Sequence, residues 1–512
     1  MVFRLVVSWN MLMVVRWPMR WLGASHGWSM VEDLRPQWIT TNQALAQYAT
    51  DWLAEPQLAL DTEFYRCQTF YAKPGLIQLA TPKQVFFIDP LLVTDFTPLA
   101  AVFRAPQVVK MLHACSEDLE IFQQLTGALP APLIDTQLAA AFIGLGASIG
   151  YQRLVTELLG VKLAKDETRS DWLQRPLSAT QINYAALDVH YLLQLYQPLV
   201  NRLKDLERLD WLHQECQQLV EQAANPTPLD QVYQQVKLAW KLRRSELVIL
   251  RKLAAWREKE VRKRDIPRHR LFSDDQLWWL ARIKPRKLIQ LDKVRGIRKE
   301  QVAREGRAIC GIIAKALTES ANNWPERLPK PLPKSSKPLI SKVKKHAAKV
   351  AETLSLPPEL VIRKKQLDAL IRSGLADGQF NWPENLQTWR RELLGEPLLT
   401  ELTQLAQEQQ CSTVMNKQLV SIYKSPNKNE MYLYVAKQAQ LSEVPDALLQ
   451  LFGKPKHVMD MLLTPEKKLA RANAVQVMKE IDSKGFFLQM PPAKEDYLIE
   501  LPEEFLSKGD PV

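Results

Sequence analysis

QLALDTEF, residues 57–64, opens as an apolar run and ends on two carboxylates one residue apart. LIQLAT (76–81), VFFID (85–89) and VVKML (108–112) follow as further short apolar runs. Separated by Pro and Gly, these read as strands. The period then lengthens to that of helices: EDLEIFQQL (117–125), QLAAAFIGL (137–145), and one long helix from about Ser178 to Leu206. Strands first, then alternation with helices, predict an α/β domain with a mixed sheet. Within the deciding strand Asp61 and Glu63 lie at i and i+2, so both carboxylates point to one face. Two acids so placed repel one another unless a cation sits between them. The plainer alternative is an exposed strand end entering a loop.

The rest of the chain is organised around that unit. At 512 residues, three or four domains are expected. An apolar fraction of 46% with 24% charged residues excludes a disordered, collagen-like or rod-like protein. The five cysteines (67, 115, 216, 310 and 411) form no CxxC pair, which excludes a thiolate zinc cluster and fits a reducing, cytoplasmic compartment. Charge is unevenly spread. Residues 30–229 carry a net −8, whereas residues 230–330 hold 26 basic and 12 acidic residues. A strongly basic unit beside an acidic one suggests a polyanionic partner and a division of labour. Residues 1–29 hold an apolar run from Leu5 to Val15, interrupted by Arg16 and Arg20 and too short to span a membrane. They are read as an early start, with Met30 the working initiator, and a signal peptide is the alternative. No membrane association is expected. Asn225-Pro-Thr-Pro228 marks one linker and the five-proline stretch at 325–338 a second. Residues 232–318 and 339–410 look helical, and QLVSIYKS (418–425) and MYLYVA (431–436) look like strands.

Two further motifs carry acids. In HACSED (113–118), Ser116 is a plausible helix N-cap. Glu117 and Asp118 then suit the first turn, where acids meet the helix dipole. In YAALD, Tyr184 and Asp188 are i,i+4 neighbours on one helix face, able to act together or to be a half-buried phenol beside a solvated acid. Taken together, Asp61, Glu63, Asp118 and Asp188 with Tyr184 offer four carboxylates and a phenol with no paired His or Cys. Such hard oxygen donors select Mg²⁺ or Mn²⁺ over Zn²⁺. GASIG (146–150) matches a nucleophile-elbow pattern, but a helical run precedes it where a strand is required, so Ser148 is read as a loop residue.

DTEF at 61–64, HACSED at 113–118 and YAALD at 184–188, in this order, resemble the three exonuclease motifs of the tyrosine-bearing DEDD superfamily. GLIQLAT (75–81) and SDWLQRPLSATQINYAALDVHYLL (170–193) are similar to the ribonuclease D family in particular, over about residues 36–410. The resemblance implies a ribonuclease H-like fold, two divalent cations, and removal of nucleotides one at a time from an RNA 3′ end as 5′-monophosphates. It implies that Asp61 bridges both cations, that Glu63 and Asp188 complete one site, and that Asp118 serves the other. Tyr184 would orient the attacking water. Thr62 and Phe64 would contact the terminal nucleotide, and His113 would be a core or substrate-lining residue. Transfer-RNA precursors are the substrates to which the family points, and a monomer is expected. A non-catalytic RNA-binding adaptor and a DNA 3′-exonuclease are the rival readings.

WKLRRSELVILRKLAAWREKEVRKRDIPRHRLFSDDQLWWLARIKPRKL (240–288) is similar to the helicase-and-RNase-D C-terminal (HRDC) domain, and residues 339–410 look like a weaker second copy. The family implies small helical bundles that bind nucleic acid. Acids are sparse in this run, so Arg243, Arg244, Arg251, Arg257, Arg262, Lys263 and Arg264 are expected to face RNA phosphates. MNKQLVSIYKSPNKNEMYLYV and KGFFLQMPP resemble the YcgL domain family, small α/β proteins. The expected order is an exonuclease domain at 30–225, an HRDC domain at 230–324, a linker at 325–338, an HRDC-like domain at 339–411 and a YcgL-like domain at 415–505.

Overall fold

The computed structural model describes residues 34–163, 170–415 and 417–491, so the reading of residues 1–29 lies outside the described part. Two compact units divide between Leu328 and Pro329.

In the first unit β2 (Gln57–Tyr65) is long, and its apolar run Leu58–Leu60 is fully buried. Around it form β1 (Gln37–Ile39), α1 (Asn42–Trp52), β3 (Lys73–Ala80), β4 (Val85–Ile88), α2 (Thr97–Arg104), β5 (Val109–Leu112), α3 (Ser116–Thr126) and β6 (Leu133–Asp135). The sheet order is β1-β4-β3-β2-β5-β6. β3 runs antiparallel to β2 and β4, whereas β1–β4, β2–β5 and β5–β6 are parallel. This is the mixed α/β sheet that the alternation predicts. Helices α4 (Thr136–Phe142), α5 (Tyr151–Leu159), α6 (Ala179–Gln194), α7 (Tyr196–Asp205) and α8 (Leu209–Ala224) complete the layers.

The single helix expected over 178–206 is two, α6 and α7. Pro198 lacks the N–H that would continue the α6 ladder and sits in the first turn of α7, where none is needed. The run expected at 137–145 ends at Phe142, because Gly144 turns into a positive φ of 86°. Ser116 is the first helical residue of α3; Cys115 holds the cap position without a side-chain bond.

Residues 170–177 are clamped onto the sheet by Arg175. Its guanidinium makes a two-pronged contact with buried Asp89 (2.6 and 2.8 Å) and donates to the Gly75 and Trp172 carbonyls. Only glycine fits at position 75, since a Cβ there would lie 2.5 Å from the Trp172 carbonyl oxygen. The clamp thereby seats the buried Trp172 ring 6.2 Å from that of Tyr184.

A helical bundle follows, built of α9 (Arg244–Arg264), α10 (Arg268–Leu271), α11 (Asp274–Ile283) and α12 (Lys299–Leu317) around its own apolar core. The second unit holds α13 (Lys337–Leu354), α14 (Pro358–Val361), α15 (Lys364–Ser373) and α16 (Trp389–Met415), the last kinked at Gly395. Its remaining elements are β7 (Gln418–Lys424), β8 (Tyr432–Ala436), α17 (Asp446–Phe452), β9 (Lys456–Leu463), α18 (Ala474–Lys484) and β10 (Phe486–Gln489). These strands form one antiparallel sheet, β10-β8-β7-β9, with separate apolar clusters that include α17 and α18 residues. Among the described residues no helix is long and apolar enough to cross a membrane.

Removing the guanidinium by Arg175→Leu leaves the Asp89 carboxylate buried and unpaired. It is expected to destabilise the first unit by about 3–5 kcal/mol, read as a lower denaturant midpoint at unchanged slope.

Candidate active site

The three acid-bearing segments converge at one end of the sheet. Asp61 and Glu63 project from β2, opposite Gln78 and Leu76 of β3, and the register slips between Glu63 and Phe64. α6 starts from a capping box in which Ser178 accepts from the Gln181 N–H and Gln181 accepts from that of Ser178. It presents Tyr184 and Asp188 one turn apart. Ligand oxygens of Asp61, Glu63 and Asp188 all lie within 4.8 Å of one another.

Asp118 stands outside that trio, buried in the first turn of α3. Its position depends on Asp135. That carboxylate accepts from the Ala114 and Cys115 N–H groups (3.3 and 3.0 Å), fixing the left-handed turn at Ala114, and also caps α4 through Gln137 and Leu138. Thr62 completes the arrangement. It is 5% exposed, and its hydroxyl donates to the Asp118 carboxylate at 2.5 Å. This bond engages the Thr62 hydroxyl with an acid, and contact of Thr62 with the terminal nucleotide stands as a proposal. Phe64, beyond the register slip, is half-buried.

Crowding and burial shape the electrostatics. Desolvation, then the charges of Asp118, Asp188 and Glu63, push the Asp61 carboxyl well above its ordinary range. Desolvation, then Asp188 and Asp118, raise Glu63 to about 9. Burial raises Asp118 to about 6, opposed by the Thr62 hydrogen bond. The Tyr184 phenol is driven up by burial and by Asp188, so it stays protonated near neutral pH and donates to that carboxylate. Three carboxylates so close are unfavourable as a set. A divalent cation removes the conflict, and the all-oxygen donor set fits one.

A cavity of about 430 Å³ opens beside the acids, lined in part by Asp61, His113, Tyr151, Tyr184 and Asp188. His113 bonds Thr136 through Nδ1 (2.9 Å) and packs edge-on against Tyr151; burial lowers its pKa. Sequence reading missed Tyr151. Its hydroxyl donates to the Leu187 and Asp188 carbonyls (3.0 and 2.5 Å), steadying the turn that carries Asp188. No local spacing announces that contact. Ser148 lies exposed in the loop before α5, as expected of a loop residue.

The bundle meets the site through the β2–β3 hairpin. Asp265, at the end of α9, accepts from the Phe70 and Tyr71 N–H groups at 3.0 Å each. Arg262 and Arg268 lie over the Phe70 ring and both bind Glu258. The tip is also tied to α3, since Arg66 pairs with Glu117 and Glu120.

The seven cations nominated for RNA contact divide. Arg257 is 6% exposed and faces inward, bonded to the Phe272 carbonyl and Asp274, so a phosphate contact is corrected to a structural role. Arg244 pairs with Glu326, Arg251 with Glu319, Arg262 with Glu258, and Arg264 with Glu260 and Glu305. The expectation that acids are too sparse to neutralise this run therefore fails, because carboxylates on α9 itself, on α12 and just beyond it reach these guanidiniums. Arg243 and Lys263 are exposed.

Comparison with known proteins agrees with this architecture. Residues 36–204 match a 3′–5′ exonuclease family model, residues 246–313 the HRDC domain and residues 420–492 the YcgL domain. The chain is 45% identical over 366 residues to ribonuclease D of Pseudomonas paraeruginosa, covering 72% of this chain and 97% of that protein. It is 37% identical over 372 residues to ribonuclease D of Escherichia coli, covering 71% and 97%. The crystal structure of E. coli RNase D, described as an exoribonuclease involved in structured RNA processing, superposes with a TM-score of 0.67 at 36% identity. That match covers 72% of this chain and 99% of the other.

The raised carboxyls set a sign for cation binding. Without a cation the folded site retains protons that the unfolded chain has lost, so its acids oppose folding more strongly as pH rises through the window from about 4, where the unfolded carboxyls ionise, to about 6 for Asp118 and about 9 for Glu63. A bound cation relieves this. The gain in thermal midpoint on adding Mn²⁺ is expected to grow across that window in calorimetry; a gain independent of pH contradicts the assignment.

Proposed function

The chain belongs to the ribonuclease D family of 3′–5′ exoribonucleases, and on that footing we propose that it hydrolyses RNA one nucleotide at a time from the 3′ end, releasing 5′-monophosphates at the acid cluster. The observation that carries this reading is the convergence of Asp61, Glu63 and Asp188 within 4.8 Å from two distant segments, with Asp118 near enough for its charge to act on Asp61 and Glu63. The proposed cofactors are two divalent cations, Mg²⁺ or Mn²⁺, held by Asp61, Glu63, Asp118 and Asp188. Bound there, such cations supply an activated water and neutralise charge developing on the scissile phosphate.

The chain's own residues do the rest. Asp61, on a rigid central strand, is held between Asp188 and Asp118 and is the natural shared ligand. Asp118 is kept ionised and oriented by the Thr62 hydroxyl, a charge-assisted bond of about 1.5–3 kcal/mol. Tyr184, whose single hydroxyl hydrogen is given to Asp188 in the cation-free site, would turn to orient the attacking water once a cation engages that carboxylate. His113 and Tyr151 line the cavity that would receive the terminal nucleotide, and Phe64 is proposed to contact that nucleotide. The proposed division is a catalytic domain at 30–225, helical domains at 230–324 and 339–411 joined by the linker at 325–338, and a YcgL-like domain at 415–505. The family-model matches support its catalytic, first helical and YcgL-like parts. Trimming of transfer-RNA precursors by a monomer in the cytoplasm is the proposed setting.

Asp61→Asn is expected to abolish release of 5′-monophosphates from an RNA labelled at its 3′ end in Mg²⁺, as chelator does to the wild type. Tyr184→Phe should lower kcat by about 10²-fold with little change in KM. Equal turnover by wild type and Asp61→Asn would contradict the proposal.

A further inference from the structure

Charge on the first helical bundle is unevenly neutralised. On α9 and α10 most guanidiniums are held by carboxylates: Arg251 and Lys252 share Glu319, Arg262 and Arg268 share Glu258, and Arg264 meets Glu260 and Glu305. Charges so matched carry little net field outward. The segment from Lys284 to Arg307 differs. It holds nine basic and three acidic residues, and one of those acids, Glu305, is buried against Arg264. Arg286, Lys287, Lys293, Arg295, Arg298 and Lys299 are exposed, and among the described residues no carboxylate pairs with any of them.

This segment is also held in place. A 3-10 turn, Leu288–Lys293, sits on α12 at Gly306, where an added Cβ would lie 2.8 Å from the Leu288 side chain and 3.1 Å from that of Leu291. Leu291 is buried in the bundle core, while Ile289 is 75% exposed amid the cations. The positive charges are thus presented from a packed scaffold, which lowers the ordering cost of binding an extended polyanion.

We propose that residues 284–307, rather than the arginines of α9, form the surface on which this bundle seats the phosphate backbone of the RNA. The inference rests on the exoribonuclease reading for the identity of the polyanion. Unpaired, closely spaced cations release counterions from a phosphate chain on binding, whereas cations already matched by Glu have little to gain.

The test uses the full chain and its Arg295→Gln/Arg298→Gln/Lys299→Gln form, with thermal midpoints compared to confirm folding. Binding of a fluorescent single-stranded oligouridylate is followed in chelator across a salt series. The slope of log Kd against log salt should fall by up to about 2 in the variant, at about 0.7 per lost phosphate contact. Hydrolysis of p-nitrophenyl thymidine 5′-phosphate, which reaches only the acid cluster, should be unchanged. An unchanged salt slope overturns the surface. So does loss of binding to phosphatidylserine vesicles with RNA binding intact, which would make the patch a membrane contact. If the wild type releases no 5′-monophosphate from the oligouridylate in Mn²⁺, the catalytic reading fails instead, while the salt slope, measured in chelator, still decides the surface.

Discussion

Mutual repulsion among Asp61, Glu63, Asp118 and Asp188 at the end of a buried strand is the constraint around which the first unit is built. Desolvation and like charge raise the pKa of at least three of these acids, so the cluster works against the fold that assembles it. A chain retains such an arrangement where a bound cation repays it, and the absence of His or Cys from the cluster makes that cation a hard one. The chemistry then follows from electrostatics more than from any reactive side chain.

The surrounding structure resists that repulsion by tying each acid to something rigid. Asp118 leans on Thr62, the neighbour of the acid it repels. Asp135 fixes the turn ahead of α3, and Tyr151 braces the turn of α6 that bears Asp188. The Arg175–Asp89 clamp holds Trp172 against Tyr184. The hairpin that begins with Asp61 and Glu63 is gripped at its tip by Asp265 of the helical bundle. Bundle and sheet are therefore mechanically joined through this hairpin.

How much was legible in the sequence follows from the range of each interaction. Asp61 with Glu63, and Tyr184 with Asp188, are readable because strand and helix periods place i,i+2 and i,i+4 residues together whatever the fold. The division of α6 from α7 was also present, in Pro198, but outweighed by the continuous apolar pattern. Thr62, Tyr151 and Arg175 are different. Their partners lie 56, 37 and 86 residues away, and no local spacing encodes such contacts. The basic run misled for the same reason: counting charge along one helix cannot reveal carboxylates such as Glu305 and Glu319 arriving from other segments.

The central claim is that these acids form a cation site, and anomalous diffraction from crystals soaked in Mn²⁺ addresses it most directly. The account predicts a manganese peak coordinated by oxygens of Asp61, Glu63 and Asp188, lost in Asp188→Asn crystals. Manganese bound only elsewhere, with the three carboxylates protonated and hydrogen-bonded to one another, would contradict it.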